Sequence, residues 1–77
     1  MDITQTTADR VAAAIARKGW SIQRTANESA IPYTTLYRKA KGGADFTLSE
    51  IGALADALEV SPSTLLPASW TVVAVAV

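Results

Sequence analysis

The chain has 77 residues, about half of them hydrophobic, which allows one domain with a small core. It has no cysteine and no histidine, so it lacks disulfides, thiolate metal sites, the commonest metal ligand and the commonest general base. The formal net charge is zero, but the charges are segregated: all seven bases (Arg10, Arg17, Lys18, Arg24, Arg38, Lys39, Lys41) lie between residues 10 and 41, opposed there only by Glu28. Residues 42–77 hold four acids, Asp45, Glu50, Asp56 and Glu59, and no base. Such asymmetry in a small domain points to one face that meets a polyanion.

In chain order, the first helix is predicted over Thr7 to Lys18, with Thr6 as its cap and Asp9 in the first turn. Ala8, Val11, Ala12, Ile15 and Ala16 recur at helical spacing as its buried stripe, and Gly19 stops it. A second helix starts after Ser21 and ends near Ser29, with Ile22 and small Ala26 on its inner side. Trp20 packs at the junction of these two helices. Ala30 and Ile31 make a turn, and Pro32 opens a third helix that runs to about Ala40 with Leu36 inward. Gly42-Gly43 releases the chain.

Thr47-Leu48-Ser49-Glu50 is a capping box, and Leu48, Ile51, Leu54, Ala55 and Leu58 follow as the buried stripe of a fourth helix. Ser61-Pro62 caps a short fifth helix, and Pro67 ends it. The tail ASWTVVAVAV differs from the rest. From Val60 to Val77 no side chain is charged, and Val, Thr and Trp favour an extended strand. Residues 1–67 are therefore expected to form the domain and 68–77 a strand. Both faces of that strand are apolar, so it is expected to pair with a second copy or with its own N-terminus around Ile3.

Serine, threonine and carboxylates are present, but no side chain is suited to activate a nucleophile. Asp45, Glu50, Asp56 and Glu59 do not converge on one helical face and read as caps and surface charges. No enzymatic activity, metal, cofactor or small-molecule ligand is expected. The start MDITQTTADR lacks the pattern of a signal peptide, and no apolar run reaches the roughly 18 residues of a membrane span. The expectation is a soluble cytoplasmic protein.

Residues 21–41 read as a helix, a tight turn and a second helix with a polar, basic outer face. Ala26, the Ala30-Ile31 turn, Leu36, the Gly42-Gly43 exit and the stretch FTLSEIGALADALEVSPSTLL together resemble the helix-turn-helix domains of phage Cro and lambda-type repressors, over residues 7–66. Three positions depart from that pattern. Ile22 stands where the family usually has a phosphate-touching Gln, with Gln23 beside it. Thr25 replaces a core Leu, and Ala30 replaces the turn Gly.

The resemblance implies a five-helix, mainly α domain that controls transcription from operator DNA, commonly as a two-fold dimer. A chain with no room for a second domain fits a minimal Cro-like regulator in a bacterial host, and the apolar tail fits a dimerisation strand. Within that frame Tyr33, Thr34 and Arg38 on the third helix are the candidate base readers. Arg38 is the foremost, because a guanidinium donates twice to guanine. Ser21, Gln23, Arg24, Thr35, Tyr37, Lys39 and Lys41 are the candidate phosphate contacts. Trp70, Val72, Val73, Val75 and Val77 are the candidate dimer residues. The alternative is a helix-turn-helix protein-interaction module, antirepressor or antitoxin-like, acting through the tail.

Overall fold

Asp2 caps the first helix. In the computed structural model, which describes residues 2–67, its carboxylate accepts the Gln5 N–H at 3.2 Å, and α1 runs Ile3–Lys18. That start is one turn before the predicted Thr6 cap. Asp2 and Thr6 are both good N-cap types. With Asp2 in that role, the Thr6 N–H donates to the Asp2 carbonyl within the helix, at 2.9 Å. The inner face of α1 also differs from expectation. Thr7, Ala8, Val11, Ala14 and Ile15 are buried, whereas Ala12 and Ala16 are exposed. Four alanines between residues 12 and 16 carry almost no hydrophobic contrast, so Val11 and Ile15 fix the stripe and its neighbours decide its width.

The remaining elements are α2 (Ile22–Ser29), α3 (Tyr33–Ala40), α4 (Leu48–Leu58) and α5 (Pro62–Leu65). Each boundary has a local cause. Gly19 closes α1 at φ 76°, donating its N–H to the Ile15 and Ala16 carbonyls. Ser21 caps α2 by accepting the Arg24 N–H at 3.0 Å. Pro32 lies just before α3 as its N-cap rather than inside it, with no side chain to cap. Thr47 and Glu50 form the full reciprocal capping box of α4. Ser61 caps α5, with Pro62 in its first turn.

The helices close around one core of Val11, Ile15, Ala26, Ile31, Leu36, Ile51, Leu54, Leu58 and Leu65. α2 packs chiefly on α4 and α3, and α1 lies across α5, α3 and α4. Ala26 is the small residue that lets α2 approach this closely. Thr25, which stands where the resembled family has a core Leu, is fully buried. Its hydroxyl donates to the Ser21 carbonyl at 2.9 Å, so the polar atom is satisfied and the methyl packs. Ser29, also buried, donates to the Thr25 carbonyl at 2.7 Å. Among the described residues, no buried side-chain polar atom lacks a partner.

Leu48 departs from the expected stripe: it is 78% exposed. It occupies the first position of α4, beyond the reach of the helices that cover Ile51, Leu54 and Leu58. The predicted strand at 68–77, with Trp70, Val72, Val73, Val75 and Val77, lies outside the described residues. No described helix is long and apolar enough to cross a membrane.

Candidate nucleic-acid interface

The turn between α2 and α3 sets the direction of the candidate reading helix. Ala30 ends α2 in the left-handed region at φ 61°, an uncommon conformation for a residue with a Cβ. The chain turns there, Ile31 drops into the core, and α3 leaves at an angle with Leu36 and Ala40 buried beneath it. Its opposite side carries Tyr33, Thr34, Tyr37 and Arg38, all exposed, with Lys41 just past its end. Thr35 is half-buried at the margin.

Two features order that outer face. Tyr33 and Tyr37, one turn apart, lie with ring centroids 5.9 Å apart, and Lys41 Nζ sits 5.3 Å from the Tyr37 ring. Aromatic and cation–π contacts of this kind contribute about 0.5–1 kcal/mol each at exposed sites. The chain then leaves α3 through Gly43, whose N–H donates to the Arg38 carbonyl at 2.9 Å. A Cβ at Gly43 would lie 2.9 Å from Arg38 Cγ and 3.0 Å from its carbonyl oxygen. Glycine there leaves space for the Arg38 stem.

The N-terminus of α2 forms the second part of the surface. Its first-turn amides at Ile22 and Gln23 have no intrahelical acceptor. The Arg24 guanidinium stacks 4.5 Å over the Trp20 ring, and Gln23 reaches Asn27 at 3.3 Å. Trp20 packs partly against the core, and its ring supports Arg24 as well. An exposed cation held beside free helix amides is suited to a phosphate.

The seven bases are not equivalent, and here the structure revises the sequence reading. Lys39 Nζ is 2.6 Å from Glu50 Oε1, with the two side chains 11% and 19% exposed. Its partner is therefore an acid of its own chain, not an open surface for phosphate. Burial pushes the Glu50 carboxyl upward, but the bonds from Lys39 and the Thr47 amide outweigh it, and its pKa lies below the ordinary value. Lys18 pairs with Glu59 at 2.5 Å, and its hydrogen bond holds the Glu59 carboxyl below the usual range. Arg10 donates to the Thr64 carbonyl at 3.4 Å. Arg17, Arg24, Arg38 and Lys41 remain exposed.

The family model described as the BetR domain matches residues 2–72. The chain belongs to the BetR domain family. Its fold is similar to that of the restriction-modification controller protein C.AhdI from Aeromonas hydrophila, with a TM-score of 0.78 and 24% identity over 82% of this chain and 96% of that one. No curated protein matches the chain. The five described helices of this BetR domain thus bear out the Cro-like helix-turn-helix resemblance.

Sequence reasoning missed three relationships in the BetR domain: the Lys39–Glu50 pair, the Tyr33–Tyr37 contact and the support of Arg24 by Trp20. The two tyrosines stand at i and i+4 on one helix, so their contact was legible in principle. The pair between α3 and α4 was not, because it depends on how those helices cross.

Proposed function

We propose that this protein is a sequence-specific, double-stranded DNA-binding transcriptional regulator of the Cro type, and that α3 reads the major groove of its operator. One observation carries this reading. The helix after the turn buries Leu36 and Ala40 and presents Tyr33, Thr34, Tyr37 and Arg38 outward, with Lys41 at its end. Arg38 reads guanine through O6 and N7, a pairing that contributes about 1–3 kcal/mol of discrimination. Thr34 and Tyr33, in the first turn of α3, contact neighbouring base edges. Arg24, Ser21 and Gln23 at the start of α2, with Lys41, hold the flanking phosphates and fix the register. The controller protein of similar fold belongs to restriction-modification, which supports a regulatory role without giving the operator.

Selection of binding sites from a random duplex library at moderate salt tests the proposal. Enrichment of a defined sequence supports it. A near-palindrome with half-sites one helical turn apart would further support the two-fold dimer that the resemblance to Cro and lambda-type repressors implies, and a single half-site would support a monomeric reader. Recovery of unselected sequence, bound only through salt-sensitive attraction, would count against the reading.

A further inference from the structure

A groove of about 530 Å³ lies on the molecule, between the start of α1 and the start of α4. Ile3, Phe46, Leu48, Ile51 and Leu66 supply its apolar wall, and Asp45, which accepts a hydrogen bond from Thr4, stands at its edge. Ile3 is 42% exposed and Leu48 78%, the two largest exposed aliphatic side chains among the described residues. The wall carries no base, so the groove does not suit a nucleic acid. An apolar segment laid in the groove would remove the exposed surface of Ile3 and Leu48 from water.

The sequence holds an apolar segment that begins two residues after Leu66 of the groove wall. Leu66 lines the wall, Pro67 after it is buried, and the segment 68–77 follows directly. That segment is uncharged and has apolar residues on both of its alternating sides. Trp70 is three residues beyond Pro67, within the roughly 10 Å that three residues can span. A segment tethered at the edge of its own site meets it at high effective concentration, which a free partner must match from bulk solution.

We infer that the groove is the docking site of the chain's own C-terminal segment, with the Trp70 indole as anchor against Ile3 and Leu48 and Val72 next along the wall. Docking there completes the core and removes the exposed face of Leu48. It also assigns the tail to a place other than a strand between two copies. The inference is independent of DNA binding.

Nuclear Overhauser contacts in the full chain test it. A uniformly labelled sample is expected to show cross-peaks between the Trp70 indole and the Leu48 and Ile3 methyls. An isotope-filtered spectrum of mixed labelled and unlabelled chains, which detects only contacts between copies, is expected to lack them. Cross-peaks in the filtered spectrum would mean that a second copy's tail fills the groove and would overturn the inference. Their absence from both spectra would overturn it too. In Leu48→Asp the Trp70 indole resonance should move toward that of a free tryptophan peptide, and an unmoved resonance would also contradict the assignment.

Discussion

Lys39 Nζ on the candidate reading helix is held 2.6 Å from Glu50 Oε1, the same oxygen that accepts the Thr47 N–H in the α4 capping box. One carboxylate therefore caps the N-terminus of α4 and ties α3 to it. Because the pair is mostly buried, removing one partner costs more than breaking a surface ion pair does. Arg38 is the next residue on the same helix.

Replacing Lys39 by Met should therefore act mainly on stability. The Glu50 carboxylate loses a charged partner, at a cost of about 1–3 kcal/mol. Urea unfolding should show a lower midpoint with an unchanged slope. The salt dependence of DNA binding should stay near that of the parent chain, since no phosphate contact is removed. A salt slope reduced by a full phosphate contact would instead place Lys39 on the DNA.

Stability should fall in acid partly through Glu50. Its folded pKa lies below the ordinary value, so its contribution is complete above that value and is lost as pH drops through the folded pKa. The relevant window starts at about pH 4.3 and extends downward. In Glu50→Gln, urea midpoints measured from neutral pH into that window should fall less steeply than in the parent chain. Glu59 is shifted the same way by Lys18 but is exposed, so Glu59→Gln should leave the profile almost unchanged.

Ala30→Gly should stabilise the domain. Ala30 holds φ 61°, where a Cβ costs roughly 1–2 kcal/mol, while glycine loses about 0.5–1 kcal/mol more backbone entropy on folding. The net gain expected is about 0.5–1 kcal/mol, a rise in melting temperature of roughly 2–8 °C for a domain of this size. A lower melting temperature would mean that the turn tolerates alanine without strain.

Arg38→Ala and Lys41→Ala should separate reading from attraction. The first should cost about 1–3 kcal/mol and relax preference at one base position, and the second should weaken all sequences alike and reduce the salt slope by about 1. Gly43→Ala should resemble the first, because its Cβ would press on the Arg38 stem and carbonyl. Binding titrations on matched and mismatched duplexes distinguish these patterns.

Much of the fold was legible because its boundaries are local. Gly19, Ser21, the Thr47–Glu50 box and Ser61-Pro62 each act within a turn of the residues they cap. The start of α1 was not, since Asp2 and Thr6 are competing caps one turn apart. The inner face of α1 was blurred by its alanines, and Leu48 followed the helical period into a place that no described helix covers. The outward set on α3 followed from Leu36 alone. Which bases have internal partners did not, because Lys39, Lys18 and Arg10 meet residues 11, 41 and 54 positions away.

The central claim is that α3 lies in the major groove with Arg38 on a guanine. Dimethyl sulfate protection on a selected duplex tests it most directly, because the reagent methylates guanine N7 in the major groove and adenine N3 in the minor groove. The parent chain should protect guanine N7 within the site, and Arg38→Ala should lose that protection at one base pair of each half-site while keeping the rest. Protection confined to adenine N3, or a guanine pattern unchanged in Arg38→Ala, would contradict the account.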